Sequence, residues 1–231
     1  MPDFDVFDAG ERLPDPLPSE PFALLAAWFD EAQTAKNVPN PNAMTLATVD
    51  PDGHPSARVV LCKGIDAAGG TLTFFTNYQS RKGLALTAHP RAAVVFHWDH
   101  ADRQARVEGA VERVSDAESD AYFSTRAWES RVGAWASAQS QPIESREALL
   151  EKVMNAILNL GIDLGAAMRG DPVRIPRPSH WGGYRILADR VELWVGGTGR
   201  VHDRAGWTRS ICAGKCTQTI ASAWVASRIQ P

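Results

Sequence analysis

The sequence predicts a mainly β protein with peripheral helices, whose strands form a small antiparallel barrel. Three observations support this fold class. Segments dense in β-branched and apolar residues outnumber the helical segments, short polar turns join most of them, and the helical segments are inserted between strands. Because closing such a meander into a barrel removes its unpaired edges, a barrel is the natural arrangement of these strands.

The N-terminal stretch differs in composition from the rest of the chain. Residues 1–21 carry six acidic side chains against one arginine and include five prolines, which is typical of a flexible arm. Residues 22–231 are then predicted to form a single domain. This domain begins with a helix, because its first apolar residues recur at spacings of three and four: Phe22, Leu25, Trp28, Phe29 and Ala32.

Strands dominate the predicted domain. Turn residues at 50–53 (Asp-Pro-Asp-Gly) and 66–70 (Asp-Ala-Ala-Gly-Gly) indicate the first two hairpins. The strands are predicted at residues 43–49, 58–63, 71–76, 92–98, 103–114, 184–187, 191–195, 201–209 and 223–229.

Three further helices are predicted between the strands. Ser80 is a suitable N-cap for a short helix that stops before Pro90, and residues 115–118 (Ser-Asp-Ala-Glu) match a capping box that should begin a helix through Tyr122 and Arg126. A longer helix follows Pro142. We interpret its apolar stripe as packing against the core: Leu149, Leu150, Val153, Met154, Ile157 and Leu158.

Composition limits the function classes. The chain has 231 residues and a net charge of −3, which gives no reason to expect nucleic acid or a membrane surface as a partner. No apolar run approaches the roughly 18 residues of a membrane span, and the N-terminus lacks the features of a signal peptide. Three cysteines are present, and Cys212 and Cys216 form an isolated pair, so we expect reduced thiols in a cytoplasm and no metal site.

One group of cations suggests an anion site. Arg58 and Lys63 lie at the two ends of a predicted strand, and Arg81 and Lys82 lie in the first turn of the helix after Ser80. Free backbone N–H groups and the helix dipole already favour an anion there, whereas two cations in a first turn are unfavourable without one. A phosphate site and a solvated basic helix end are equally compatible with this stretch.

A second group, Tyr122, Arg126 and Ser130, is spaced at i, i+4 and i+8. If one helix continues through all three, the side chains share a face and offer donors to a second phosphate. Spacing alone favours the alternative, which is a surface helix with Arg126 paired to a local carboxylate such as Glu129.

A third group lies near the C-terminus. Arg200, His202 and Arg204 alternate along a predicted strand and would face one side, with Val201 and Asp203 on the other. Cationic neighbours disfavour protonation of His202, so this histidine could accept a proton near neutral pH. The alternative is a solvated strand face. Tryptophans also precede glycine pairs at Trp181 and Trp194, where a planar ring could approach the backbone, although packing is the commoner reason.

In order along the chain, these segments resemble the pyridoxamine 5′-phosphate oxidase family. The matching motifs are RVVLCK (58–63), FFTNYQSRK (74–82), RQARVEG (103–109), YFSTRAWES (122–130), GAWASAQS (133–140), HWGGYRI (180–186), ELWVGG (192–197) and RVHDR (200–204), with RIQP (228–231) at the end. The resemblance covers roughly residue 22 to the end. It implies a homodimeric, FMN-binding split β-barrel of antiparallel, Greek-key-like topology. It also implies oxidation of pyridoxine or pyridoxamine 5′-phosphate to pyridoxal 5′-phosphate, with O2 as acceptor and H2O2 as product.

The resemblance also implies site residues. FMN would lie at the subunit interface and be held by Arg58, Val59, Val60, Leu61, Cys62, Lys63, Phe75, Thr76, Arg81, Lys82, Gln104, Gln139, Ser140, Trp194 and Arg204. The substrate phosphate would be held by Lys63, Tyr122, Arg126 and Ser130. Arg200, Val201 and His202 would lie at the substrate ring, with Arg200 and His202 as the catalytic pair.

Two features qualify this implication. Arg58 and Lys63 differ by five positions, so they face opposite sides of a regular strand unless a bulge intervenes. The sequence also departs from the family, which usually has Arg-Pro where Arg126-Ala127 stands, a basic residue at Trp128, and in some members a basic arm over the substrate. There are two alternatives. One is a related flavin oxidase that acts on another substrate, such as a phenazine precursor, and the other is a non-catalytic protein that binds FMN or pyridoxal phosphate.

Overall fold

The protein is described by a computed structural model that covers residues 10–36, 38–212 and 220–231. The helices are α1 Phe22–Thr34, α2 Arg81–Ala88, α3 Asp116–Thr125, α4 Trp128–Ala136, α5 Arg146–Asn159 and α6 Leu164–Met168. The strands are β1 Ala43–Val49, β2 Pro55–Asp66, β3 Thr71–Asn77, β4 Arg91–Trp98, β5 Arg103–Arg113, β6 Trp181–Val195, β7 Asp203–Thr208, β8 Ile211–Cys212, β9 Ile220–Ala221 and β10 Val225–Arg228. None of the helices in the described residues is both long and apolar enough to cross a membrane.

Six antiparallel strands close into a barrel. The order β6-β3-β2-β1-β4-β5 returns to β6 through a further β5–β6 pairing, and β7 and β10 extend the sheet from β6. Strand β6 is 15 residues long and pairs with β3 through its first half and with β7 through its second. The barrel predicted from the sequence is therefore confirmed, and the segments expected at 184–187 and 191–195 belong to one continuous strand.

Alternate residues of the strands fill the barrel. Side chains that point inward are almost fully buried, including Met44, Leu46, Leu72, Phe74, Val94, Phe96, Val107, Ile186 and Leu193. The predicted face of α1 joins this core with Phe22, Leu25, Trp28, Phe29 and Ala32. A second, smaller core lies under α3, α4 and α5 and contains Phe123, Val132, Ile157, Ile175 and Trp181.

Strand β2 carries a bulge, which was one of the two explanations for the spacing of its cations; the other was contact with different regions of the ligand. Its pairing with β3 shifts register between Cys62 and Gly64, so that Lys63 is the extra residue. A bulge turns the following side chains relative to a regular strand. Arg58 and Lys63 consequently line one and the same cavity.

The caps expected for two helices are present. Ser80 precedes α2 and its hydroxyl accepts a hydrogen bond from Gly83 N–H. Ser115 and Glu118 form the full capping box of α3. Both caps satisfy backbone N–H groups that have no partner inside the helix.

Three expectations about secondary structure and packing are wrong. The helix through Tyr122 ends at Thr125, because Arg126 is extended (φ −75°, ψ 148°) and a separate helix starts at Trp128. Strand β7 starts at Asp203, two residues later than predicted, because the 3-10 turn at Thr198–Arg200 precedes it and Val201, which caps that turn, is not extended (φ −83°, ψ 70°). The stripe on α5 is largely exposed, with Leu158 71% exposed and Ile157 the one buried side chain of the six, because only one edge of this helix reaches the second core.

The second half of the N-terminal arm contacts the barrel. Leu13 is buried, its N–H donates to Asp203 Oδ2 (2.8 Å), and Pro18 O accepts from Trp207 Nε1 (2.8 Å). Glu11 pairs with Arg103. Apolar and acidic side chains of the described part of the arm therefore contact the barrel, and the division into a flexible arm (1–21) and a single domain (22–231) stays a prediction. Residues 1–9 and Cys216 lie outside the described residues, as does the side chain of Cys212.

Candidate functional site

A cleft of about 530 Å³ opens beside β2 and β3. It is lined by Arg58, Val59, Val60, Leu61, Lys63, Phe75, Thr76, Asn77, Lys82, Tyr122, Arg126, Ala127, Ser130, Gln139 and Trp181. We call it the cationic cleft, because four of these residues are Lys or Arg and none is Asp or Glu. A cleft lined by four cations and no carboxylate suits an anionic ligand.

Arg58 is fixed at one end of the cationic cleft by neutral acceptors. Its Nη1 donates to Leu46 O (3.2 Å) and Thr48 Oγ1 (2.7 Å), and its Nη2 donates to Ser56 Oγ. Burial and the nearby charge of Arg81 lower the pKa of Arg58. Its charge is thus held in place without being neutralised.

Lys82 lies next to Arg58 at the start of α2. Its Nζ donates to Gln139 Oε1 (2.8 Å), Thr76 Oγ1 (3.2 Å) and Ser80 Oγ (3.3 Å). Burial, followed by repulsion from Arg58, lowers the pKa of Lys82 to about 8. A bound anion would relieve this repulsion, so the group fits a phosphate.

Arg81, the neighbour of Lys82, is directed elsewhere. Its side chain is 60% exposed, forms an ion pair with Asp50 (3.3 Å) and does not line the cationic cleft. The structure therefore separates two cations that the sequence places together, because consecutive residues in a helix point about 100° apart.

The second group of donors lies in the same cleft in spite of the helix break. Lys63, Tyr122, Arg126 and Ser130 all line it. Arg126 forms no ion pair with Glu129, and its buried Nη1 has no hydrogen-bond partner among the described residues. Burial lowers the pKa of Arg126. An unpaired guanidinium N–H facing a cleft is a ready donor to an anion.

Stacked rings form one wall of the cleft. Phe75 lies 4.0 Å from Tyr122 and 5.6 Å from Trp181 between ring centroids, with small interplanar angles. Arg126 stands 4.6 Å above the Trp181 ring, and Lys63 Nζ stands 5.9 Å above the Tyr122 ring. The cleft thus combines cations with aromatic faces.

The strand residues between the cations differ in orientation. Val59, Val60 and Leu61 line the cleft. The side chain of Cys62 instead lies in the barrel core, where burial raises the pKa of its thiol to about 11. Only the backbone of Cys62 is available for the predicted cofactor contact.

A second set of predicted residues lies on the outer face of the barrel. Gln104, Trp194 and Arg204 are directly paired across β5, β6 and β7, so their side chains share one face. Arg204 donates through Nε and Nη2 to Glu192 Oε1 (3.2 and 2.8 Å) and through Nη1 to Gln230 O (2.9 Å). Its orientation is therefore set by a carboxylate beside Trp194.

His202 and Val201 line a separate cavity of about 330 Å³, together with residues 10–13 and Gly197. The His202 ring packs on Trp194 at 4.7 Å, and its Nδ1 accepts a hydrogen bond from Gly197 N–H (3.1 Å). Arg200 is exposed and has a left-handed backbone (φ 64°). Since Arg200, His202 and Arg204 do not follow one regular strand, the predicted alternation fails, although His202 and Arg204 both remain beside Trp194.

The two sets do not meet within one chain. The cationic cleft and the His202 cavity share no lining residue, and Gln104, Trp194 and Arg204 line neither. Gln139 lines the cleft, whereas Ser140 is exposed in the adjoining turn with a left-handed backbone (φ 73°). A single subunit therefore presents two incomplete surfaces.

Three residues of the cleft were missed by sequence reasoning: Asn77, Ala127 and Trp181. Trp181 carried a signal, since it precedes a glycine pair in one of the family-like motifs, but it was interpreted as packing. Asn77 and Ala127 carried none, because only the fold brings them to the cleft.

Comparison with known proteins agrees with this geometry. A family model described as pyridoxamine 5′-phosphate oxidase matches residues 30–158, and one described as the pyridoxine 5′-phosphate oxidase C-terminal dimerisation region matches residues 181–231. A pyridoxine/pyridoxamine 5′-phosphate oxidase from Cupriavidus necator is 56% identical over 185 residues, which cover 80% of this chain and 81% of that protein. One from Burkholderia cenocepacia is 47% identical over 224 residues, covering 97% and 92%.

Two solved structures share the fold. The crystal structure of PhzG from Burkholderia lata, in complex with tetrahydrophenazine-1-carboxylic acid, aligns with a TM-score of 0.76 at 29% identity and covers 100% of this chain and 97% of that one. A pyridoxamine 5′-phosphate oxidase-related, FMN-binding protein from Nostoc punctiforme aligns with a TM-score of 0.64 at 17% identity, covering 90% and 96%, which supports the fold alone. From the two matched family models and from relatives at about half identity, we conclude that this chain belongs to the pyridoxamine 5′-phosphate oxidase family.

Proposed function

We propose that this protein is an FMN-dependent oxidase that converts pyridoxine or pyridoxamine 5′-phosphate into pyridoxal 5′-phosphate, with O2 as electron acceptor and H2O2 as product. One observation carries the proposal: the cationic cleft has four Lys or Arg residues and no carboxylate in its lining. FMN and the substrate each bring one phosphate, so two phosphates would balance these charges. The names of the relatives from Cupriavidus and Burkholderia support the same substrates.

FMN fits the end of the cleft that Arg58 and Lys82 occupy. Both cations are held by neutral oxygens, those of Thr76 and Gln139 in the case of Lys82, and no described carboxylate pairs with either of them. When bound, FMN supplies the acceptor for the hydride that leaves the substrate. The residues at this end bind and orient the cofactor, and Arg81 contributes only at longer range.

The substrate phosphate fits the other group in the cleft. Arg126 Nη1 is buried without a described partner, and Lys63, Tyr122 and Ser130 offer further donors around the same space. These donors bind the phosphate and so hold the ring at a set distance from it. Such positioning converts binding energy into orientation of the reacting carbon.

The second half of the site comes from the partner subunit in our proposal. Gln104, Trp194, Arg200, His202 and Arg204 do not line the cationic cleft of their own chain, and four of them lie in the segment that matches the dimerisation region. A two-fold dimer presents each such surface to the cleft of its partner. FMN would then lie at the subunit interface.

The hydrogen bond of His202 defines what this residue can do. Because Nδ1 accepts from Gly197 N–H, the neutral ring carries its proton on Nε2, so Nε2 is a donor and not a base. We therefore assign His202 to orienting the substrate ring as a donor. Arg200 is the exposed planar cation next to it and would stabilise developing negative charge on the substrate. The proton of the substrate hydroxyl or amine would then pass to solvent water, so that no histidine base is required.

The structural likeness to PhzG raises a second candidate, a flavin oxidase that acts on a phenazine precursor. The retained group of Lys63, Tyr122, Arg126 and Ser130 favours a phosphorylated substrate, because a substrate without phosphate would leave the buried Nη1 of Arg126 unpaired. A non-catalytic carrier is disfavoured by the presence of both Arg200 and His202. We also propose a cytoplasmic location, in keeping with free, buried Cys62.

The experiment that tests the proposal measures peroxide. Purified protein, reconstituted with FMN, is incubated with pyridoxine 5′-phosphate, pyridoxamine 5′-phosphate, unphosphorylated pyridoxine or a dihydrophenazine carboxylic acid. We expect H2O2 and pyridoxal 5′-phosphate from the two phosphorylated vitamers and at most a trace from the others. Turnover of the phenazine compound alone would establish the second candidate, and an absence of peroxide with every compound from flavin-loaded protein would establish the carrier.

A further inference from the structure

We propose that Trp181 is a positioning residue, which holds the Arg126 guanidinium in the cationic cleft by its ring face and leaves the charge of Arg126 free for the substrate phosphate. The proposal rests on the proposed function of the cleft. It assigns a task to a residue that the sequence suggested only as packing.

The contacts of Arg126 are unlike those of an ordinary buried arginine. Its Cζ lies 4.6 Å from the ring of Trp181 and 5.6 Å from the ring of Phe123, whereas no described carboxylate pairs with it. Its Nη1 is buried and has no hydrogen-bond partner among the described residues. Arg126 is thus held by aromatic faces, which attract a cation without occupying its N–H donors.

Other arginines of this chain show the usual alternative. Arg177 donates to Asp116 and Asp120, and Arg103 donates to Glu11 and Glu31. These ion pairs raise the pKa of both arginines, while the pKa of Arg126 is lowered. A carboxylate beside Arg126 would compete with a phosphate for the same donors, and an aromatic ring does not.

The ring of Trp181 is itself firmly placed. It is buried at the start of β6, packs edge-on against Phe123 at 5.0 Å and stacks on Phe75 at 5.6 Å. Its backbone N–H donates to Pro178 O (3.0 Å), and its carbonyl accepts from Arg177 Nη1 (2.6 Å). A ring fixed on all these sides can fix the cation above it, which matters because Arg126 lies at the non-helical break between α3 and α4.

A double-mutant cycle between Trp181 and Arg126 tests this coupling. Trp181→Leu, Trp181→Phe, Arg126→Ala and the combined variants are loaded with FMN. KM and kcat for pyridoxine 5′-phosphate are measured, and binding of pyridoxal 5′-phosphate is measured by calorimetry. Trp135→Phe is the control, since Trp135 lies on α4 outside the cleft and donates to Pro176 O.

We expect Trp181→Leu to raise KM and weaken pyridoxal 5′-phosphate binding about tenfold, in line with a desolvated cation–π contact, while kcat and FMN content change little. Trp181→Phe, which keeps a ring face, should recover most of that loss. In the Arg126→Ala background, Trp181→Leu should change KM and pyridoxal 5′-phosphate affinity by less than about a further twofold. The reason is that Trp181 acts on the phosphate through Arg126, which this background lacks. The control variant should match the wild type.

Additive losses in the two backgrounds would overturn the proposal and make Trp181 a general packing residue. If Trp181→Leu does not fold, the cycle is repeated with Trp181→Phe. Additive losses would again overturn the proposal, and the expected coupling energy between Trp181 and Arg126 is smaller, because phenylalanine keeps a ring face. Calorimetric measurement of pyridoxal 5′-phosphate binding distinguishes failure of the proposed function from failure of the Trp181–Arg126 coupling. A wild type that binds pyridoxal 5′-phosphate but oxidises nothing refutes the proposed function and leaves this coupling measurable, whereas an active wild type with an additive cycle refutes the coupling alone.

Discussion

At the scale of single residues, Arg81 and Lys82 have different surroundings although they are adjacent. Lys82 faces the cationic cleft and contacts Gln139 and Thr76, whereas Arg81 faces Asp50 in the β1–β2 turn. Proximity in the sequence is therefore a poor guide to which cation binds the cofactor phosphate.

We predict that Lys82→Ala weakens FMN binding about 10- to 100-fold, the usual consequence of removing a charge-assisted hydrogen bond. Arg81→Ala should weaken it less than about threefold, because an exposed cation outside the cleft acts only through screened Coulomb attraction. Titration of each ligand-free variant with FMN, followed by quenching of FMN fluorescence, gives the two dissociation constants. Equal losses in the two variants would place Arg81 in the cofactor site, as its position in the sequence predicts.

The lowered pKa of Lys82, about 8, predicts a pH dependence of cofactor binding. The protonated lysine attracts the phosphate and the neutral amine does not, so affinity should be full below pH 7 and fall as the pH rises through 8. The FMN phosphate stays a dianion over this range, since its second pKa is near 6.

The matched control for this pH dependence is Lys82→Arg, which remains charged throughout. Its FMN affinity should be nearly constant between pH 7 and 9, while that of the wild type should decline over the same interval. A wild-type affinity that is flat across this interval would show that Lys82 keeps its proton in the ligand-free protein.

At the scale of elements, the break between α3 and α4 shapes the substrate side of the cleft. A continuous helix would carry Arg126 and Ser130 on one helical face, but the chain turns at Arg126 and Ala127, and both residues line the cleft from the break. Ala127 has φ −53°, within the range that proline requires, and Arg126 is extended, as a residue before proline prefers.

The structure therefore predicts that Ala127→Pro is tolerated and stabilising. No hydrogen bond from Ala127 N–H to a described residue would be lost. The substitution should restrict the unfolded chain at no conformational cost to the folded one, for a gain of about 0.4–1 kcal/mol and a rise in Tm of roughly 1–4 °C. Differential scanning calorimetry measures the shift.

The matched comparison for this substitution is Thr125→Pro, two positions earlier in the chain. Thr125 is the last residue of α3, and a proline there clashes with the preceding turn of the helix. That variant should lose stability. A fall in Tm for Ala127→Pro as well would contradict the observed break.

At the scale of the whole molecule, the two incomplete surfaces predict a composite site. The cationic cleft holds Lys63 and Arg126, while Arg200 lies on a surface that does not reach the cleft of its own chain. A two-fold arrangement would complete two sites per dimer, each with contributions from both chains.

Mixed dimers test this arrangement. A chain with Lys63→Ala and Arg126→Ala and a chain with Arg200→Leu should each form inactive homodimers at low substrate concentration. Co-refolded in equal amounts, they should recover about a quarter of wild-type activity, because half of the dimers are mixed and each mixed dimer has one intact site of two.

A control mixture of two variants on the same surface, Lys63→Ala with Arg126→Ala in separate chains, should recover nothing beyond the mean of its homodimers, because each defective cleft keeps its own defect. If mixed dimers of the first kind are isolated by affinity tags and remain inactive, the cleft and Arg200 do not belong to one shared site.

The sequence by itself determined much of this protein, because local interactions decide local structure. Segments dense in β-branched and apolar residues located the strands, and Ser80 and Ser115 located two helix starts. The five-residue spacing of Arg58 and Lys63 suggested either contacts with different ligand regions or a bulge, and a bulge lies between Cys62 and Gly64. Motif order further indicated the family and the two groups of residues that we propose to bind phosphates. Apart from motif order, each of these inferences depends on hydrogen bonds or spacings within a few residues.

Only the tertiary structure decided which groups meet. It ended α3 before Arg126, turned most of the α5 stripe to the surface, directed Arg81 to Asp50 and placed Trp181 beneath Arg126. It also divided the predicted site residues between two surfaces. These outcomes depend on contacts between residues far apart in the chain, and periodicity states which face of an element is apolar without stating what packs against it.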